Sequence, residues 1–529
     1  MKFPIGIQDF KNIIEDGFVY VDKTALIYRL VTEGKIYFLS RPRRFGKSLL
    51  VSTLEYYFKG EKELFKGLAI DSLEKEWESY PVFHIDFNST DFTRGGALQG
   101  RIKGLVEEWE KQYGFSGNPD YDYGERFALL LAYVHEQTGK RCVVLIDEYD
   151  KPLLDVLDTD YRMEVDGQLR SIEDCNRETL KGFYSVFKAA DPHLRFVLLT
   201  GVTKFSQVSV FSGFNQPQDI SMDARYDALC GITREEMENV FSSEIDAMAV
   251  ETGVSPSEMR NMLTRQYDGY HFSRKMIEIF NPFSVLNALN RREIGNYWFS
   301  TGTPTYLVRL LNHTQENLDE LVGRYYDASE FLDYKADVER PLPMIYQSGY
   351  LTIKGYDALT NTFLLDIPNN EVKLGFTTAL ASDYLKPKSL VQSSIARMVR
   401  SLAHSDLESL RLQLTAFFAG IPYTMRRKKS ERERERYFHY TFYLLFSIIS
   451  TYLVLSEKQQ SAGRADCLIE APNDIYIFEF KLDGTAKDAL TQIEERGYAR
   501  PYASDKRKIH KIGVSFSSET GTIEDWQEA

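Results

Sequence analysis

Three residues near the end of the chain, Asp466, Glu479 and Lys481, have the types and spacing to hold a divalent cation and cut a phosphodiester. They lie in two β-type runs that flank Ala-Pro-Asn-Asp at 471–474. Pro472 and Asn473 suit the centre of a tight turn. Pairing the runs about that centre puts Asp466 across from Glu479, with about 5 Å between their Cβ atoms. Glu479 and Lys481 are two apart and share a face. Opposed carboxylates repel unless a cation sits between them, and such oxygen ligands suit Mg²⁺ or Mn²⁺. Lys481 can then orient or help deprotonate a water, or offset charge in the transition state. The plainer reading is an exposed charged face with an i,i+2 salt bridge. Ile475, Ile477, Phe478 and Phe480 speak against it, because they predict a buried strand. Glu433 or Glu435 offers a further ligand from the preceding helix, and a merely solvated charge run is an equal alternative for either. Gln492 and Tyr498 on the next predicted helix can reach a metal-bound water or the substrate backbone. Arg464, Lys487, Arg496 and residues 506–508 can supply a basic rim for phosphates.

A second constellation lies near the start. Residues 41–48, Arg-Pro-Arg-Arg-Phe-Gly-Lys-Ser, match G-x-x-x-x-G-K-[ST] except that Arg41 replaces the first glycine. In such a loop backbone N–H groups point at phosphates, the lysine neutralises β and γ oxygens, and the hydroxyl holds Mg²⁺. The candidate ATP cradle comprises Arg44, Phe45, Gly46, Lys47, Ser48 and Leu49. Pro42 lacks an N–H, and arginine resists positive φ, so the loop should start differently from the usual cradle. A basic loop with a chance Gly-Lys-Ser is the alternative, and a second motif weighs against it. Residues 142–148 are an apolar run ending in Asp147 and Glu148. At a strand end, Asp147 can help hold Mg²⁺ and Glu148 can polarise the attacking water. After the next apolar run, Thr200 or Thr203 can sense the γ-phosphate, or simply cap a turn.

The elements that must position these residues follow from pattern. Residues 36–40, 81–87, 142–146 and 195–200 read as strands, with helical stretches at 49–58, 98–113 and 125–139 between them. Continuous apolar runs suit strands buried on both faces. Strands alternating with helices predict an α/β domain with a mostly parallel sheet, taken to cover 1–232. From Thr233, an N-cap with Glu236 at the third position, a helical lid and connector is expected over 233–400. A charged run at 426–436 precedes the apolar segment 440–455, whose 16 residues fall short of the roughly 20 that span a bilayer. It predicts a buried helix, and the strand-rich end completes a domain over 401–529.

The 529 residues suit about three domains. With 43% hydrophobic and 27% charged residues the composition is globular. A net charge of −13 excludes a globally basic nucleic-acid coat protein but not a local basic groove. The four cysteines form no CxxC pair, which disfavours structural zinc and a disulfide framework and suits a reducing cytosol. No basic-then-apolar leader is read at the N-terminus.

Several stretches resemble one bacterial family, which joins an AAA-ATPase-like domain to a C-terminal PD-(D/E)XK nuclease-superfamily domain. They are 5–24, RPRRFGKS at 41–48, VVLIDEYDKP at 143–152, 200–221, YDGYHF at 267–272, 281–289, GRADCLI at 463–469 and 478–499. The resemblance covers nearly the whole chain. It implies a P-loop NTPase parallel sheet flanked by helices, a helical lid or connector, and a C-terminal α/β restriction-endonuclease-like domain. It implies that Lys47 and Ser48 bind ATP and Mg²⁺, that Asp147 assists the metal and that Glu148 is the hydrolytic base. It also implies a nuclease triad of Asp466, Glu479 and Lys481, with Glu435 as the upstream acid and Gln492 as the helical glutamine.

The expected activity is a P-loop ATPase coupled to a metal-dependent nuclease acting on nucleic acid, with DNA favoured. ATP would reposition the lid and gate the nuclease face. The alternative is an ATP-dependent switch whose nuclease-like domain only binds nucleic acid or a protein partner. Lys204, Arg225 and Arg234 are equal candidates for an arginine-finger role, and a homo-oligomer stays open. No membrane partner is expected, and the expected location is the cytoplasm.

Overall fold

The computed structural model describes the chain except for residues 158, 206–216, 300–304, 315, 333–339, 385–387, 420–439, 450, 452–466, 472 and 518. The chain divides into two compact units, Met1–Thr301 with Leu321–Asn369, and Gly302–Glu320 with Asn370–Ala529.

In the first unit five strands form one parallel sheet: β1 (Ile36–Ser40), β2 (Val82–Asp86), β3 (Cys142–Asp147), β4 (Leu194–Gly201) and β5 (Gln218–Asp219). Their order is β2-β3-β4-β1-β5. Every residue of β3 is buried, which its unbroken apolar run requires of a strand covered on both faces. The register sets Asp86 beside Asp147, Ile146 beside Leu199, and Ser40 beside Gly201. The carboxyl ends of β1 to β4 therefore lie along one edge, where open α/β sheets bind ligands.

Helix Lys47–Phe58 follows β1 and packs across the middle of the sheet. Helices Ala97–Tyr113 and Tyr123–Thr138 bring Trp109 and Phe127 against Phe83 of β2, with ring centroids 5.2 and 5.6 Å away. Beyond β5, Thr233 caps helix Arg234–Thr252 in a reciprocal capping box with Glu236. That helix, Pro256–Tyr267 and Pro282–Arg291 share a core that includes Phe241, Leu263 and Val285. The unit also holds an antiparallel sheet of β6 (Arg324–Asp327), β7 (Thr352–Asp357) and β8 (Thr362–Asp366), in the order β6-β8-β7. Its alternation is short and interrupted by a bulge between Ile353 and Gly355, so the helical reading of this stretch passed over it.

In the second unit β9 (Cys467–Glu470), β10 (Asp474–Leu482), β11 (Lys508–Phe516) and β12 (Ile523–Glu528) form a mixed sheet in that order. β9/β10 and β11/β12 are antiparallel, and β10/β11 is parallel, bridged by helix Ala486–Arg496. One face of β10 packs Ile475 and Ile477 with Ile493, Tyr498 and Tyr502. On the other face Phe480 stacks on Phe442 at 4.1 Å, and Phe478 meets Phe446 at 5.0 Å. Phe442 and Phe446 belong to helix 440–449, so this part of the long apolar segment is core. Residues 450 and 452–455 of that segment lie outside the described residues. Among the described residues no helix is long and apolar enough to cross a membrane.

Candidate functional site

The loop after β1 turns sharply because two residues take left-handed backbone, Arg44 at φ 67° and Gly46 at φ 94°. Arg41 is not one of them, so the irregularity expected at the missing glycine falls three residues later. Arg41 is instead a buried strut, 1% exposed. Its guanidinium donates to the carbonyls of Ser40 (2.9 Å) and Ser221 (2.7 Å) and lies 4.0 Å over the Phe272 ring. Burial pulls its basicity below the usual arginine range, with nearby acidic groups opposing.

Lys47 opens the helix, is 5% exposed, and donates Nζ to the carbonyls of Arg41 (3.0 Å) and Pro42 (3.1 Å). Ser48 and Leu49, in the same first turn, are half-buried. Phe45 points into the core, its ring 4.8 Å from that of Tyr270, so only its backbone is available to a ligand. Arg44 is exposed, with its guanidinium 5.1 Å from the centroid of the Phe283 ring.

Asp147, 3% exposed, ends β3. Its Oδ1 accepts from Thr200 Oγ1 at 2.6 Å and from the Glu148 N–H at 3.1 Å. Its Oδ2 has no hydrogen-bond partner among the described residues, which fits a cation ligand. Glu148 has φ 52°, a conformation that costs a non-glycine residue free energy and turns its side chain off the strand line. Burial pushes its carboxyl above the usual carboxylate range; Lys47 and Arg43 oppose this, and Asp150 and Asp147 add to it. Thr203 serves elsewhere: its N–H and hydroxyl both donate to Asp150 Oδ2, at 2.7 and 2.8 Å. Of the two threonines weighed from sequence, Thr200 touches Asp147.

The three finger candidates are all engaged within the chain. Lys204 pairs with Asp219 at 3.0 Å, Arg225 with Asp223 at 2.6 Å, and Arg234 with Asp268 at 2.8 Å.

In the second unit the described ladder follows the register expected about the 472–473 turn, from Cys467 opposite Phe478 to Glu470 opposite Ile475. Asp466, Glu435, Glu433 and Arg464 lie outside the described residues. Glu479 is 1% exposed. Gln492 bridges it to Lys481: the amide N–H donates to Glu479 Oε1, and the amide oxygen accepts from Lys481 Nζ. Lys481 Nζ itself stands 4.0 Å from Glu479 Oε1. A buried carboxylate with a partly exposed lysine beside it fits a divalent cation and an anionic substrate. Among the described residues no three or more His, Cys, Asp or Glu side chains form a group that could hold a metal.

Other expectations here are corrected. Tyr498 is 3% exposed and packs in the core with Ile475 and Ile477. Arg507 is committed to Glu470 and Asp505, both at 2.7 Å. Lys487, Arg496, Lys506 and Lys508 are exposed. However, Lys508 pairs with Asp474 while Lys481 pairs with Ser515, at opposite ends of the ladder and about 23 Å apart at strand rise. Lys508 therefore does not share a rim with Lys481.

Sequence reading also missed Asp150 and the burial of Arg41. The Asp-Glu-Tyr-Asp run at 147–150 held a signal for the first, since a third carboxyl so close to an apolar strand needs buried partners. The second depends on Phe272 and Ser221, far off in sequence, and had none.

Residues 4–211 match the family described as predicted AAA-ATPase, and residues 433–526 match the PD-(D/E)XK nuclease superfamily. An uncharacterized protein in the vnfD 5' region of Azotobacter chroococcum mcd 1 is 36% identical over 530 residues, covering 99% of this chain and 98% of its own length. Among solved structures, Cdc6p from Pyrobaculum aerophilum aligns at 12% identity with a TM-score of 0.22, over 68% of this chain and 91% of that one. The Aeropyrum pernix ORC2 protein aligns at 10% identity and a TM-score of 0.22, over 65% and 87%.

Proposed function

The chain belongs to the family that joins a predicted AAA-ATPase domain to a domain of the PD-(D/E)XK nuclease superfamily, and from that premise we propose that it hydrolyses ATP and cuts nucleic acid, DNA in the first instance, at a metal-dependent phosphodiesterase centre. The observation that carries the reading is the Glu479–Gln492–Lys481 bridge, which supports a working nuclease centre over a retired fold. A domain kept only for binding has no chemical need to hold a buried carboxylate and a lysine together.

At the nucleotide site Lys47 exchanges its two loop carbonyls for phosphate oxygens. Ser48 and Asp147 Oδ2 are the groups to hold Mg²⁺, and Glu148 takes a proton from the attacking water. At the nuclease centre Glu479, with Asp466 and Glu435, is the ligand set for Mg²⁺ or Mn²⁺. Lys481 orients the attacking water beside the scissile phosphate. Bound Mg²⁺ supplies positive charge against phosphate oxygens at either centre. The partner is a nucleic acid and not a membrane, and the setting is cytoplasmic.

The test is cleavage of plasmid and single-stranded DNA with Mg²⁺ or Mn²⁺, with and without ATP, by wild type, Lys481→Ala and Lys47→Ala. Cleavage lost in Lys481→Ala and altered in Lys47→Ala supports the reading. Intact ATP hydrolysis with no cleavage of any substrate replaces it with an ATP-dependent switch whose C-terminal domain only binds.

A further inference from the structure

The phosphate-binding loop is held from outside along almost its whole length. Arg41 stacks on Phe272. Pro42 lies against Gly349, where a Cβ would fall 2.7 Å from the proline Cβ. The Arg43 carbonyl accepts from Trp298 Nε1 at 3.0 Å. Phe45 packs edge-on against Tyr270 and Phe272, at 4.8 and 5.5 Å between ring centroids. Four loop residues thus contact chain beyond residue 267, within the same compact unit. None of these contacts touches Lys47, Ser48 or Asp147.

We propose that this outer segment is a clamp on the loop, with Trp298 and Arg41 as positioning residues for nucleotide binding. The inference rests on the ATP-binding reading above. Its physical basis is the place of Lys47, whose Nζ rests on the carbonyls of Arg41 and Pro42, the residues that the clamp grips by their side chains. A phosphate must draw Lys47 off those carbonyls. If the loop could follow the lysine, part of the binding free energy would go into reordering it; a fixed loop avoids that cost. Trp298 is 6% exposed, and its ring lies 5.1 Å from that of Tyr350, so the indole is itself immobile. Its N–H fixes the Arg43 peptide, one residue before the left-handed turn at Arg44. The sequence supports a rigid rather than a pliant loop, since arginine and proline occupy positions where glycine would leave the backbone free.

The test uses the full chain and ATP with Mg²⁺. Trp298→Phe keeps an aromatic ring and removes the pyrrole with its N–H; Arg41→Met keeps the length and removes the charge. Dissociation constants by calorimetry, steady-state ATPase kinetics and Tm are measured together, with Lys47→Ala as the control for site occupancy. The expected result for Trp298→Phe is a lowered Tm and, in the protein that remains folded, ATP binding weakened about tenfold, a matching rise in KM and kcat within about twofold. A merely structural role would lower Tm and leave the affinity of the folded protein alone. Wild-type affinity in folded Trp298→Phe protein, whatever its Tm, overturns the proposal. Should Arg41→Met not fold, Trp298→Phe decides alone. ATP binding absent from wild type and Lys47→Ala alike would instead overturn the nucleotide reading, and this inference with it.

Discussion

The hydroxyl of Thr200, at the end of β4, donates to Oδ1 of Asp147, at the end of β3, at a distance of 2.6 Å. Both groups are buried, so little water competes for the bond. Strand order makes it possible: β4 lies between β3 and the loop strand β1, so its end stands between the Asp147 carboxylate and the Lys47 loop. With Oδ1 fixed, Oδ2 is the oxygen that the proposed Mg²⁺ would take. Thr200→Val removes the hydroxyl at nearly constant shape. We expect kcat for ATP hydrolysis to fall about 10- to 100-fold with a small change in KM, as for loss of a hydrogen bond to a charged group. Steady-state ATPase assays check this; an unchanged kcat would rule out a role for the bond in hydrolysis.

As the proposed general base, Glu148 should set the pH dependence of the same reaction. Burial raises its carboxyl pKa above the usual carboxylate range, with Lys47 opposing. A general base works only when deprotonated. Activity is therefore full on the alkaline side and falls as pH drops through a value above the ordinary glutamate pKa of about 4.3. The kcat profile of wild type should carry that acidic limb. Glu148→Gln should lose the activity throughout while still binding ATP, and hydrolysis persisting in the variant with the limb unmoved would assign the base elsewhere.

Much of this frame can be read from local pattern. The strand Cys142–Asp147 announces itself by six buried positions in a row, and Thr233 with Glu236 announces a helix start; both are short-range effects. The Glu479–Lys481 pairing follows from strand alternation alone, and the β9–β10 register from the position of one turn. What pattern cannot supply is partnership across the chain. Nothing near Arg41 indicates that Phe272 will lie under its guanidinium, and nothing near Lys508 reveals that the parallel register carries it far from Lys481. β5 is two residues long and has no periodicity to detect; pairing with β1 alone makes it a strand.

The bridge through Gln492 gives a prediction at the nuclease centre. Its amide supplies one donor to Glu479 and one acceptor to Lys481, a combination that neither a carboxylate nor a hydrocarbon reproduces. Gln492→Leu should leave Glu479 and Lys481 in direct attraction across 4.0 Å and draw the lysine off the substrate side. We expect DNA cleavage reduced at least about tenfold with ATPase activity unaltered. Gln492→Glu places a second negative charge beside Glu479 and should alter the Mg²⁺ concentration needed for half-maximal cleavage. Equal cleavage by all three proteins would make Gln492 a bystander.

The position of that glutamine depends on a glycine in the neighbouring strand. Gly513 of β11 lies under the first turn of helix Ala486–Arg496, and a Cβ there would fall 2.1 Å from the Ala486 carbonyl oxygen. The contact is with backbone, so no side chain can rotate away; the helix itself must lift from the sheet. Gly513→Ala should therefore cost about 1–3 kcal/mol of stability, the range for overpacking a tight core. Because Gln492 rides on the lifted helix, nuclease activity of the protein that remains folded should fall by more than the stability loss explains. Thr491→Ala on the same helix is the comparison, since Thr491 is exposed and, among the described residues, its hydroxyl bonds only the Lys487 carbonyl one turn back. Urea unfolding of both variants, with cleavage normalised to folded protein, separates the effects. Gly513→Ala matching Thr491→Ala on both measures would show that the helix has room the packing denies.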